Sequence, residues 1–386
     1  MDQKIKLIAD WKSGHCDISD LSKKYKVSRK TVYKWVGRYE GEGVDGLKER
    51  SRAPKKPHNQ TSEHLVERLL EEKRAYPKWG PKKIIALLEE KYPQEAWPAT
   101  STAGEWFKRH GLVRRRKRRL RVPPYTEPFA ECKEPNDVWS ADYKGQFRTQ
   151  DNKICYPLTI SDNHSRYLLA CQGLQGPRYQ ESYEVFKRVF REYGLPHAIR
   201  IDNGAPFAGR GIGGLSRLSI WWIKLGIQPE RIDKGEPQQN GRHERMHRTL
   251  KSDTTKPPGN DMTDQQKKFD WFHAEYNQIR PHESLGQKPP AKIYNKSPRL
   301  YTENPPAPEY DTSCAVRSIR SSGEIKFGNK LYFISELLTK ERVGLEEIAD
   351  GIWCIYYSFQ PIGILNLLRQ KVEPLITHKL LPMSPI

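Results

Sequence analysis

The sequence predicts a multidomain chain with all-α modules first, an α/β domain in the middle and a small β-barrel at the end. Three observations predict it. Apolar residues recur at helical spacing through the first hundred or so positions, strand-like alternation interleaved with helices begins at Asp137, and short β-rich runs punctuated by glycine follow a Pro-rich stretch after Tyr301. With 386 residues there is room for roughly two to four domains. The expected boundaries are 1–50, 58–121, 130–300 and 313–386.

The first module reads as three short helices. Leu7, Ile8 and Trp11 form one apolar stripe, Ile18, Leu21 and Tyr25 a second, and Val32, Trp35, Val36 and Tyr39 a third. A tight turn at Lys26-Val27 and an N-cap at Ser28 separate the last two, which is a helix-turn-helix pattern. Arg29, Lys30, Tyr33 and Lys34 fall on the outward face of the third helix, where such a motif meets DNA. A second helical module follows, with helices expected at Glu63–Ala75, Pro81–Lys91 and residues 101–110. It too has a helix-turn-helix character.

Charge names the partner class. There are 67 Lys+Arg against 47 Asp+Glu, a formal charge of +20. Up to residue 120 the balance is 30 against 16, and beyond it 37 against 31. The basic segment closes on Arg114, Arg115, Arg116, Lys117, Arg118 and Arg119, with Arg121 just beyond. Such a run neutralises phosphates and releases counterions, so a polyanion is the expected partner. The longest apolar runs, near residues 220–222 and 352–357, are far short of the ~20 residues that span a bilayer. Charged residues directly after Met1 leave no secretory signal, and six scattered cysteines without CxxC spacing suggest neither a disulfide framework nor a thiolate zinc site. A reducing, cytoplasmic compartment is expected, with no membrane and no small-molecule cofactor.

In the α/β domain the strands are expected at 138–147, 154–161, 167–174 and 198–202, and the helices at 182–193, 215–225, 241–251 and 263–279. Along the first strand Trp139, Ala141 and Tyr143 make an apolar face, so Asp142 projects from the opposite side. Asp202 ends the fourth strand before the turn Asn203-Gly204. Glu244 shares a helix stripe with Arg248 and Lys251. Three carboxylates from two strands and a helix suit hard, oxygen-seeking divalent ions, two of which can drive an in-line phosphoryl displacement. Arg248 and Lys251 would hold phosphates nearby. Taken singly, Asp142 could cap a turn, Asp202 could make an Asx turn, and Glu244 could pair with Arg248.

The segments VWSADYKGQF, LTISDNHSRY, RIDNGAPF and PQQNGRHERMHRTLK resemble the catalytic core of the retroviral-integrase superfamily, and most closely bacterial insertion-sequence transposases of the DDE type with an N-terminal helix-turn-helix. The likeness extends over RPHESLGQKPPAKIY. It implies an RNase H-like central fold, Asp142, Asp202 and Glu244 as catalytic and metal-holding acids, and two Mg²⁺ ions, with Mn²⁺ an alternative. It also implies a mobile loop at residues 235–240, transposon-end and target DNA as partners, and a homodimer or higher assembly on DNA. Two departures stand out. Forty-one residues separate Asp202 from Glu244, more than is usual in the family, and the surplus falls on the Gly-rich stretch 207–216. The His/Cys zinc module of retroviral integrases is absent.

One motif competes for the same glutamate. His243-Glu244-Arg245-Met246-His247 fits H-E-x-x-H, the zinc-protease helix. No histidine follows at a spacing suited to a third ligand, and the basic N-terminal segment, Asp142 and Asp202 would be left without a role. Packing or phosphate contact beside Glu244 is the expected use of the two histidines. The other alternative is a DNA-binding regulator derived from a transposase and lacking catalysis.

Overall fold

The structure, a computed structural model, describes residues 2–50, 61–113, 132–209, 211–232 and 241–375. The basic run Arg114–Arg119 and the expected loop at 235–240 lie outside the described residues. The chain divides into two compact units, Met1–Ser62 and Glu63–Ile386.

The first unit is α1 (Asp2–Lys12), α2 (Ile18–Lys24) and α3 (Arg29–Glu42). Asp17 and Ser28 cap α2 and α3 by accepting from the backbone N–H of Asp20 and Thr31. Leu7, Ile8, Leu21, Val32, Trp35, Val36 and Leu47 close a small core of their own. A helical N-terminal region is therefore present as expected.

The second unit opens with α4 (Glu63–Ala75), α5 (Pro81–Lys91) and α6 (Thr100–Arg109), packed around Leu69, Ile84, Leu88 and Phe107. Pro81 at the first turn of α5 costs no hydrogen bond, since its missing N–H would have had no partner there.

A mixed sheet follows, built from β1 (Val138–Tyr143), β2 (Phe147–Arg148), β3 (Ile154–Asp162), β4 (Leu168–Leu174), β5 (Ala198–Ile201) and β6 (Gln228–Arg231). Its order is β2-β3-β1-β5-β6, with β4 also pairing β3. β1 is antiparallel to β3 and parallel to β5. The expected strand 138–147 is cut in two because Gly145 sits at φ +81°, which turns the chain out of the ladder. β6 escaped the sequence reading because it contains Pro229. As the edge strand it can spare the N–H that proline lacks.

α7 (Tyr179–Tyr193) and α8 (Arg217–Lys224) cover one face, with Phe186, Phe190, Leu218 and Trp222 against Trp139, Ile160 and Ile199. α9 (Gly241–Thr254) and α10 (Met262–Ala274) cover the other, with Met246, Leu250, Phe269 and Phe272 against Cys155, Leu168 and Cys171. The expected long helix 263–279 is α10 continued by a π turn over Glu275–Ile279. This sheet between two helical layers is the RNase H-like core that the resemblance implies.

The C-terminal part is β7 (Ala315–Ser318), β8 (Glu324–Phe327), β9 (Lys330–Phe333), β10 (Arg342–Ala349), β11 (Ile352–Tyr357), β12 (Gln360–Asn366) and β13 (Lys371–Glu373). The expected barrel is not closed. The order β13-β12-β11-β10-β7 leaves two edges, and the β8–β9 hairpin lies beside both without a hydrogen-bonded ladder to either. β7 and β13, of four and three residues, are the two edge strands and do not pair with each other. Ile220 and Ile223 of α8 join this sheet's core while Leu218 and Trp222 face the central one. Burial on two sides explains the apolar run at 220–222.

Candidate active site

Parity and register bring two of the acids together. β1 runs parallel to β5 with Val138 opposite Ala198, an offset of 60 that would place Asp142 level with Asp202 if continued. Both lie on the face that Trp139, Ala141, Ile199 and Ile201 avoid. The Asp202 carboxylate accepts from the Gly204 N–H at 3.1 Å and folds back over that residue. A Cβ on Gly204 would come within 2.9 Å of Asp202 Oδ2, so a side chain there would push that carboxylate out of this position.

Glu244 projects from the first turn of α9 and is exposed. It is near enough to add to the field at Asp142. Burial, then the Asp202 charge, and more weakly Glu244, push the Asp142 carboxyl up to about 7, against smaller opposing effects of the Tyr143 backbone N–H and Lys144. Among the described residues none of the three acids is ion-paired to a lysine or arginine. Asp142 and Asp202 thus sit close enough to repel, Glu244 acts on Asp142 only weakly, and carboxylates are the oxygen donors a hard divalent cation prefers.

The sheet face around Asp142 is polar in a way the sequence reading missed. Asp142 pairs across the ladder with Thr159, and Ser140 with Ser161. Over these residues α9 lays His243 and His247, both buried. The Thr159 hydroxyl stands 2.7 Å from His243 Nε2 and 2.6 Å from His247 Nε2, and Ser161 Oγ is 2.9 Å from His243 Nδ1. Burial lowers both imidazoles, His243 to about 3, so both are neutral near pH 7. The 3.6 Å approach of His247 Nδ1 to Asp142 Oδ2 is therefore not an ion pair. Asp142, His243 and His247 offer ligand atoms all within 4.8 Å of one another. Both nitrogens of His243 are engaged by hydroxyls, however, so the H-E-x-x-H histidines do not present a two-nitrogen zinc site. The missed signal was the alternation of Thr159 and Ser161 with Leu158 and Ile160 along one strand.

On α3, Arg29, Lys30, Tyr33 and Lys34 are exposed together, Tyr33 with 63% of its surface open. Arg248 and Lys251 are exposed on α9 beyond Glu244. The second helical module is tied to the core. Lys78 pairs with Asp253 at 2.6 Å, Lys82 with Glu283 at 2.8 Å and Glu90 with Lys292 at 2.7 Å.

Comparison with known proteins finds integrase-core and helix-turn-helix likenesses along the chain. Family profiles described as integrase core domain match residues 133–237 and 225–290, a helix-turn-helix domain profile matches 3–55, and a homeodomain-like domain profile matches 31–107. An uncharacterized 39.2 kDa protein of insertion element IS476 from Xanthomonas euvesicatoria is 26% identical over 238 residues, 59% of this chain. The match spans 64% of that relative's length. An uncharacterized 31.7 kDa protein of insertion element IS407 from Burkholderia multivorans is 25% identical over 242 residues, covering 61% of this chain and 82% of the relative. Among solved structures, the HTLV-2 integrase catalytic core domain in complex with magnesium aligns with 43% of this chain and 100% of its own, at 15% identity and a TM-score of 0.35. Among the described residues no helix is long and apolar enough to cross a membrane.

Proposed function

We propose that this chain, a member of the DDE transposase and integrase superfamily and homologous to insertion-element proteins, is a DNA transposase that binds the terminal inverted repeats of a mobile element and cuts and joins its ends. The observation that supports the chemistry is the register that sets Asp142 level with Asp202 at the ends of parallel strands, with the Asp142 carboxyl held at about 7 by burial and its acidic neighbours. A carboxylate so destabilised as an anion gains the most from a cation. The two aspartates and Glu244 would hold two divalent ions, Mg²⁺ or Mn²⁺. When bound, such ions supply charge neutralisation at the attacking and leaving oxygens of a phosphodiester.

The remaining work falls to the protein's own side chains. Arg29, Lys30, Tyr33 and Lys34 on α3 read the element ends, helped by the basic run 114–119. Arg248 and Lys251 hold phosphates beside the acids so that the scissile bond lies in line. Hydrolysis at the element end frees a 3′-hydroxyl, which attacks a target phosphodiester directly, with no covalent enzyme intermediate. Joining two ends calls for a homodimer or larger assembly on DNA, acting in the bacterial cytoplasm. The four domains remain assigned to 1–50, 58–121, 130–300 and 313–386.

The test uses purified protein and labelled duplexes carrying the element's own flanking repeats, with and without Mg²⁺. Nicking and joining are expected only with the cation. Asp142→Asn, Asp202→Asn and Glu244→Gln should each lower joined product by at least ~10³-fold, several kcal/mol of transition-state stabilisation, while duplex binding persists. Joining by Asp142→Asn at the wild-type rate would remove the reading, and duplex binding without joining by the wild type would leave a regulator.

A further inference from the structure

The Thr159 hydroxyl has three neighbours and one proton. Besides the two imidazole Nε2 atoms, it stands 3.1 Å from the backbone carbonyl of Asp142. All three contacts are hydrogen bonds at once only when the hydroxyl donates to the carbonyl, which can only accept, and both imidazoles donate Nε2–H to Thr159 Oγ1. His243 Nδ1 is left as an acceptor and takes the Ser161 hydroxyl. His247 Nδ1 is left with a bare lone pair and no hydrogen-bond partner among the described residues, 3.6 Å from Asp142 Oδ2. The side chain that carries it is 4% exposed.

Two lone-pair donors face each other at a distance too long for a hydrogen bond and well suited to a shared cation. Ligand bonds of about 2.0–2.2 Å to nitrogen and oxygen set adjacent ligand atoms roughly 3.0–3.6 Å apart. We propose that His247 Nδ1 is a ligand, beside Asp142, of a divalent cation, which makes the site a mixed nitrogen and oxygen site that ranks Mn²⁺ and other transition metals above Mg²⁺. This rests on the carboxylate reading above and adds a ligand to it. Thr159 and Ser161 are positioning residues that fix the tautomers of the two imidazoles, as outer-shell partners do for metal-bound histidines. Mg²⁺ favours oxygen ligands, whereas imidazole suits the borderline metals, which sets the ranking.

Pulsed EPR on the full chain loaded with Mn²⁺ reads the ligand directly. Wild type should show nitrogen coupling from one coordinated imidazole, and ¹⁵N-histidine labelling should shift it. His247→Asn should abolish the coupling and weaken Mn²⁺ about 10-fold or more, with Mg²⁺ affinity changed less than about twofold. His247→Gln serves if the asparagine variant does not fold, as checked by circular dichroism. If Mn²⁺ binds in an Asp142-dependent way but shows no imidazole coupling, the histidine assignment is overturned and the three carboxylates stand. If no Mn²⁺ binds, or binding survives Asp142→Asn, the carboxylate reading fails with it.

Discussion

On one face of β1, Trp139 and Ala141 are fully buried with Ile160 and Ile199 beneath α7 and α8. On the other, Ser140 and Asp142 meet Thr159, Ser161 and the imidazoles of α9. The strand is the same and the residues alternate, yet one face gains stability from burial while the other spends it on desolvated polar groups. The difference teaches that a period of two is enough to separate holding the fold from doing the chemistry. It also says how the two can be broken independently.

The largest effect should come from the apolar face. Phe186 of α7 is fully buried and meets Trp222 with ring centroids 4.9 Å apart. Phe186→Ala should cost about 3–5 kcal/mol in urea unfolding. The joining activity of the fraction still folded should be unchanged. Activity lost while the protein remains fully folded would show that the two faces are not separable.

Next comes the polar face, where charge itself is the cost. The Asp142 carboxyl moves from an ordinary 3.8 to about 7 in the folded chain. An acid raised on folding binds its proton more tightly in the native state, so its stabilising contribution is full below the unfolded value and is lost as pH rises towards 7. In cation-free protein Asp142→Asn removes this titration. The variant should therefore become more stable than wild type as pH rises from about 4 to 8, by up to roughly 4 kcal/mol. Parallel stability curves for the two proteins across that range would contradict the buried, repelled carboxylate. Added divalent cation should raise wild type and leave the variant behind.

The two faces also differed in how well the sequence exposed them. The apolar face was legible, because Trp139, Ala141, Ile199 and Ile201 alternate in their own strands and α7 carries its stripe at helical spacing. The same parity made legible that Asp142 and Asp202 leave that apolar face, while Glu244 was read from its helix and from the motif resemblance. What stayed hidden depends on register between distant segments. Nothing local in the sequence pairs Asp142 with Thr159, or sets His243 and His247 over that pair rather than over a zinc ion. The open edges of the C-terminal sheet were hidden for the same reason, since closure is decided by which short strands meet. β6 was hidden because Pro229 reads as a strand breaker unless its edge position is known.

The smallest effect sharpens the comparison most, because it compares neighbours in one strand. Ile160 lies on the apolar face and Thr159 on the polar face. Ile160→Val removes one methylene and should cost about 0.5–1.5 kcal/mol, leaving strand joining intact. Thr159→Val keeps the shape but removes the oxygen that receives both imidazole N–H groups, which strands buried donors at a cost of about 1–3 kcal/mol. Those imidazoles would then turn to find new partners, and the groups beside Asp142 would shift with them. Thr159→Val should therefore lower joining by more than its loss of folded protein explains, and Thr159→Ser, which restores the oxygen, should recover it. Equal behaviour of the two valine variants, each corrected for folded fraction, would mean that the hydroxyl only fills space and that the polar face is organised by the carboxylates alone.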